Sequence, residues 1–199
     1  MIVVGLTGSI GMGKSTTAAM FAEQGIAVHD SDRTVHELYQ DEAVEPMSQA
    51  FPEAVIGGVV DRSILSQTLA KNPANFETLE LIVHPLVRAR QQRFLAEQER
   101  LGADIVVLDI PLLFETGAQD RVDRIVVVSC EPDIQRTRVL QRAGMTEEKF
   151  NMILSRQVAD ADKRHMADFV IDTGQGMEAA RRQVADIIAT LRVEKQEKS

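Results

Sequence analysis

Basic residues are in short supply: 22 Lys and Arg stand against 30 Asp and Glu, giving a formal net charge of −8 and a pI near 5.1. Phosphate neutralisation dominates nucleic-acid affinity, so this balance argues against a dedicated duplex binder, and no nucleic-acid partner is expected. Local basic clusters can still hold small phosphorylated ligands. Cysteine is nearly absent. Cys130 is the single one, so no intrachain disulfide can form, and its place after Val126-Val127-Val128-Ser129 is that of a small core thiol closing a buried strand. No apolar run approaches the ~18 residues that cross a bilayer, and Met1–Thr7 lacks a basic stretch ahead of its apolar residues, so the expectation is no membrane partner and a cytoplasmic location. Internal repeats are also missing.

What is present is ordinary for a folded protein: 199 residues, 44% apolar and 26% charged, enough for one domain over 1–199 with an inserted subregion. Ile2 to Thr7 is a short β-branched run suited to a strand covered on both faces, and Ser15 to Gln24 has helical character closed by Gly25. Ile26 to His29 forms a second short strand, and the acidic pair Asp30 and Asp32 starts a helix reaching Tyr39. From 40 to 100 strand runs are scarce, while Ser63–Ala70 and Phe76–Gln98 are helical, which predicts a helical insertion. Sheet character returns in Ile105–Leu113, Arg124–Ser129 and Phe169–Ile171, with helices over Pro132–Arg142, Glu147–Arg164 and Met177–Arg192 and a frayed tail from Glu194 to Ser199. Strands alternating with helices predict an α/β fold: a parallel sheet flanked by helices in three layers.

Gly8-Ser9-Ile10-Gly11-Met12-Gly13-Lys14-Ser15 satisfies G-x-x-x-x-G-K-[ST] between a predicted strand and a predicted helix, the context a phosphate-binding P-loop requires. Glycines let the backbone curl so that successive N–H groups face phosphate oxygens, and the following helix N-terminus adds positive potential. The cradle is Gly11, Met12, Gly13, Lys14, Ser15 and Thr16; Lys14 bridges the β and γ groups, and Ser15 can hold Mg²⁺. ATP or a related nucleoside triphosphate is therefore the expected ligand.

A P-loop does not separate a kinase from a GTPase switch or a motor, so other residues must decide. Asp30 or Asp32, closing the second strand, could take the proton from an acceptor hydroxyl, or could cap the next helix. Asp109 follows an apolar strand and could act on Mg²⁺ through water, or be a strand-end polar group. Arg136, Arg138, Arg142, Arg156, Lys163 and Arg164 gather between 136 and 165 and predict a helical lid that neutralises phosphate charge, although any one of them could belong to a solvated face. His29, His36 and His165 show no metal-ligand spacing.

Several ordered segments resemble one family: Gly8–Thr16, His29-Asp30-Ser31-Asp32, Asp61-Arg62, Ile82-Val83-His84-Pro85, Pro111-Leu112-Leu113-Phe114-Glu115 and Ala167–Asp172. Together they look like dephospho-CoA kinase, over nearly the whole chain. The resemblance implies a nucleotide-kinase-like P-loop NTPase fold with a substrate-binding insertion and a lid. It also implies ATP-dependent phosphorylation of the ribose 3′-hydroxyl of dephospho-coenzyme A, the last step of coenzyme A synthesis. By position Asp32 matches the family's catalytic Asp and Arg142 its lid arginine near the ATP phosphates, while Arg62, His84 and Glu115 fall in segments on the acceptor side. Ser9 and Met12 stand where the family commonly has Gly and a small residue, Asp30-Ser31-Asp32 replaces the usual Asp-Ala-Asp, Asp160 stands where a basic residue is frequent, and Thr173 where Asn is common. A nucleoside-monophosphate or shikimate kinase would share the P-loop and lid but not the His-Pro and Pro-Leu-Leu-Phe-Glu segments. A guanine-nucleotide switch would need an Asn-Lys-x-Asp run, which does not occur.

Overall fold

The computed structural model describes residues 1–72 and 74–197. In chain order the elements are β1 (Ile2–Thr7), α1 (Lys14–Glu23), β2 (Ala27–Asp30), α2 (Ser31–Leu38), α3 (Val44–Ala50), β3 (Val55–Ile56), β4 (Val59–Val60), α4 (Arg62–Lys71) and α5 (Asn75–Arg100). They continue with β5 (Ile105–Asp109), β6 (Arg124–Ser129), α6 (Pro132–Leu140), α7 (Glu147–Leu154), α8 (Asp160–His165), β7 (Phe169–Asp172) and α9 (Met177–Glu197). The chain forms two compact units, one of Met1–His29 with the residues from Gln98 onward, the other of Asp30–Glu97.

The first unit is built on a five-stranded sheet of order β2-β5-β1-β6-β7, in which β1 lies parallel to both β5 and β6, and β6 parallel to β7. A strand covered on both faces has no polar side to show, which is why these runs are almost wholly apolar. Alternate residues feed opposite cores. Val4, Leu6, Val126 and Val128 join Phe21 of α1 and Val184, Ile187, Ile188 and Leu191 of α9, whereas Val127 joins Leu113, Phe114 and Ala118 on the other face. The closing helix α9 thus docks on the sheet, and Gln183 holds both the N–H and the carbonyl of Asp172 at 2.9 and 3.0 Å.

The Asp30–Glu97 unit has its own core of Leu38, Ala43, Met47, Phe51, Ala54, Val60, Leu65, Leu69 and Val83. It also holds an element the sequence reading missed: β3 and β4 pair antiparallel, Val55 with Val60 and Ile56 with Val59, around Gly57-Gly58 with φ of +60° and +82°. Two residues per strand are too few to show a period, so only the Gly-Gly pair could have signalled the turn. Pro85 lies inside α5, where it leaves the Leu81 carbonyl without an i+4 donor; both residues are exposed, so water can satisfy that carbonyl.

Four boundaries differ from expectation. The apolar stretch 105–113 is strand only to Asp109, because Pro111 cannot donate to a ladder. The segment 147–164 is two helices, since the chain between Leu154 and Asp160 turns away to meet other partners. Helix α6 ends at Leu140, and α9 runs on to Glu197, Arg124 donating to the Glu194 carboxylate at 2.7 Å; of the expected tail, Lys198 and Ser199 lie outside the described residues.

Glu42, between α2 and α3, accepts from Arg90 Nε at 2.8 Å and from Arg93 Nη2 at 2.7 Å, both on α5. Hydrogen bonds from these guanidiniums, Arg90 first, hold its carboxyl at about 2 against an ordinary 4.5. A depressed carboxylate stabilises the fold above its unfolded pKa and loses that contribution as pH falls towards the folded value. Stability of the protein should therefore drop between roughly pH 4.5 and pH 2, and Glu42→Gln should flatten that part of a urea-stability profile against pH.

Candidate active site

β1 delivers the chain into the Gly-rich turn, which closes on itself through Met12 N–H to the Ser9 carbonyl at 3.1 Å. Gly13, at φ +94°, stands at the N-cap of α1 and offers no side-chain cap, so the first-turn amides stay available to an anion. Gly11 at φ +79° has no room for a Cβ, which would meet Val139 Cγ2 at 2.4 Å and the Gln135 carbonyl at 3.1 Å. Met12 turns inward and is 2% exposed, its sulfur accepting from Cys130 N–H at 3.2 Å. Cys130 is buried, and burial pushes its thiol up, against the lowering effect of Arg138. Thr173, just past β7, donates to the Met12 carbonyl at 2.7 Å, while Arg138 donates to its hydroxyl and carbonyl at 2.9 and 2.8 Å.

Gly11, Gly13, Thr16, Arg138, Arg142 and Thr173, with apolar Met20, Met177 and Ala180, line a pocket of about 330 Å³. Amides, guanidiniums and apolar surface in one cavity suit a ligand with both phosphate and a flat base. Lys14 Nζ lies 2.5 Å from Asp109 Oδ1, with the two side chains 14% and 3% exposed. Ser15 and Thr16 are exposed on the first turn of α1.

In the Asp30–Glu97 unit, the two candidate carboxylates separate by role. Asp30 caps α2 by accepting from Arg33 N–H at 2.9 Å, whereas Asp32 is exposed in the first turn and has no side-chain partner among the described residues. Arg62 begins α4, whose cap is Asp61, accepting from Ser63 and Ile64 amides at 2.8 and 3.0 Å. His84 is exposed on α5 in an open groove of about 430 Å³ lined with Glu80, Leu81 and Arg88.

The cations of 136–164 divide in the same way. Arg136 pairs with Glu147 at 2.6 Å and Arg138 is committed to Thr173, while Arg142, Arg156 and Arg164 have no ion-pair partner among the described residues. Lys163 is wholly buried, 2.9 Å from Glu115 Oε1. Glu115 is 12% exposed, and the same oxygen accepts from Val158 N–H at 2.9 Å. Burial raises the Glu115 carboxyl, but Lys163 and the amides of Glu115 and Val158 outweigh it and hold the group below its usual range. Asp160 accepts from Ser129 Oγ at 2.6 Å. Sequence reasoning missed Gln135 and Gln157, whose side chains reach the P-loop backbone at Ile10. Nothing local in a lone glutamine advertises such a partner.

A family model for dephospho-CoA kinase matches residues 2–179. The chain belongs to the dephospho-CoA kinase family. A dephospho-CoA kinase from Agrobacterium fabrum is 62% identical over 191 residues, 96% of this chain and 98% of that one. Another, from Rhizobium meliloti, is 56% identical over 192 residues, 96% and 99% of the two chains. A crystal structure from Thermus thermophilus aligns with a TM-score of 0.82 at 32% identity, covering 95% of this chain and 96% of that one. Family membership makes the protein a kinase acting at the ATP-dependent final step of coenzyme A synthesis, and sets aside the shikimate-kinase, nucleoside-monophosphate-kinase and nucleotide-switch readings.

Removing one partner of a buried ion pair strands the other charge, at about 3–5 kcal/mol. Lys163→Met should lower unfolding stability by about that amount, and adding Glu115→Gln should recover most of it. Urea denaturation of both variants checks this; a neutral Lys163→Met would show that Glu115 does not depend on its partner.

Proposed function

We propose that the P-loop pocket is the ATP site and that Asp32 accepts the proton of the ribose 3′-hydroxyl of dephospho-CoA as its oxygen attacks the γ-phosphorus. The bond from that phosphorus to the β–γ bridging oxygen breaks, ADP leaves, and the product is coenzyme A. The observation that carries the ATP site is the pocket itself: uncapped amides of the α1 first turn beside Gly11, Gly13 and Arg142, with Lys14 held at their foot by Asp109.

Each residue then has a task. The amides of Gly11 and of Gly13 to Thr16 cradle the phosphates, while the Met12 N–H closes the loop on the Ser9 carbonyl, and Lys14 exchanges its Asp109 contact for β and γ oxygens. Arg142, exposed and without an ion pair, is available to the charge that develops on the transferring group. Mg²⁺ supplies charge neutralisation on the β and γ phosphates when bound. The Ser15 hydroxyl is the hard oxygen donor that would hold it, and the Asp109 carboxylate would act on it through water. Asp32 keeps a solvent-accessible carboxylate because Asp30 has taken over the capping of α2.

Arg62 and His84, both exposed on the Asp30–Glu97 unit, are the acceptor-side contacts for dephospho-CoA. Glu115 is a further acceptor-side residue in this reading, and its carboxylate is paired with Lys163 and the Val158 N–H. Among the described residues no helix is long and apolar enough to cross a membrane, and the reading takes both substrates from the cytoplasm, with no nucleic-acid partner.

An ADP-release assay with ATP, Mg²⁺ and dephospho-CoA, with the product identified, tests the reaction; 3′-phosphorylated product is expected, and ADP formed only with another acceptor would overturn it. In the same assay Asp32→Asn should lower kcat by roughly 10²–10⁴-fold, the range of a lost general base, while ATP affinity stays unchanged. Unaltered kcat would remove Asp32 from the mechanism.

A further inference from the structure

The crest of the P-loop is held by two side chains that line no part of the nucleotide pocket. Gln135, on α6 and 5% exposed, donates from Nε2 to the Ile10 carbonyl at 2.7 Å. Gln157, in the stretch between α7 and α8, accepts at Oε1 from the Ile10 N–H at 3.1 Å. Both peptide groups flanking Ile10 are thereby fixed from outside the loop.

Gln157 is itself anchored. The next residue, Val158, donates its N–H to Glu115, whose carboxylate is paired with the buried Lys163 of α8. A continuous path therefore runs from α8 through Lys163, Glu115, Val158 and Gln157 to the phosphate-binding backbone. We propose that Gln157, together with Gln135, is a positioning residue for the phosphoryl-transfer site: the pair latches the P-loop crest to the 136–165 segment and sets the conformation in which the amides from Gly11 onward face ATP. The Ile10 N–H is spent on Gln157, so the cradle begins one residue later. This rests on the P-loop being the ATP site, as proposed above.

The test uses the full chain with Gln157→Leu, Gln135→Leu, their double variant and Lys14→Ala, reading ATP Kd by titration, KM for each substrate, kcat and Tm. Each glutamine variant is expected to weaken ATP binding by a few-fold to about tenfold, the span of one neutral hydrogen bond. KM for dephospho-CoA should stay within about twofold. The double variant should lose less than the product of the singles, since both side chains hold the same residue. Unchanged ATP Kd in Gln157→Leu with only a lower Tm would make the contact purely structural and overturn the proposal, as would equal rises in both KM values. Should Gln157→Leu fail to fold, Gln157→Asn, an amide too short to reach Ile10, is read by the same criteria. Lys14→Ala separates the two readings: if it leaves ATP Kd unaltered, the ATP site itself is misplaced; if it weakens ATP and Gln157→Leu does not, the latch alone falls.

Discussion

A loop whose amides are to be offered to phosphate, as proposed for Gly11 and Gly13 to Thr16, has only the Met12 N–H contact to the Ser9 carbonyl with which to hold itself, so most of its conformation has to be imposed by neighbours. In this protein the imposition comes from every side. β1 and β6 flank the entry, α6 packs so close under Gly11 that no Cβ fits, and Thr173 ties the Met12 carbonyl to the end of β7. Met12 reaches down into the same core as Val126, Val128 and Phe21. The parallel sheet, with both faces covered, makes this possible, because the strand ends it fixes are those from which the fastening side chains emerge.

Electrostatics follow the same economy of partners. In a chain with net charge −8, the cations that could serve ATP are the few not already used to hold the fold. Arg136, Arg138 and Lys163 are spent on Glu147, Thr173 and Glu115, which leaves Arg142 beside the glycines of the pocket. Lys14 sits on Asp109 at 2.5 Å, so a desolvated ammonium is never left unpaired, and the same carboxylate lies at the foot of the cradle.

What the sequence could show, and what it could not, divides along the range of the interaction. The strand, Gly-rich turn and helix of residues 2–24 were legible because glycine spacing and hydrophobic runs are local signals. The acidic pair at 30 and 32 left open which residue caps the helix, and only the Asp30 to Arg33 contact resolves it. The run of cations at 136–164 looked uniform because its members differ solely in partners more than ten residues away or buried across the sheet. The segment of Glu115 suggested an acceptor-side place, but nothing local showed that its carboxylate pairs with Lys163 and the Val158 N–H. The β3–β4 hairpin escaped because two-residue strands carry no period.

Three of the departures from the family pattern, Met12, Asp160 and Thr173, share a neighbour. Cys130 N–H donates to the Met12 sulfur, Ser129 Oγ donates to Asp160, and Thr173 N–H donates to the Ser129 carbonyl at 2.9 Å while its hydroxyl binds Met12. All three therefore close on Ser129-Cys130 at the end of β6, directly beneath the phosphate loop. Asp160 accepts the Ser129 hydroxyl, a bond an extended cation could not accept; Met12 fills the space above Cys130, with the two sulfurs 3.4 Å apart. Thr173, with one hydroxyl, can donate to Met12 and still accept from Arg138. Residues that share partners in this way are not independent. Changing one alone would leave a buried polar group unpaired or a void under the loop, so the three are one arrangement of the P-loop floor rather than three separate substitutions.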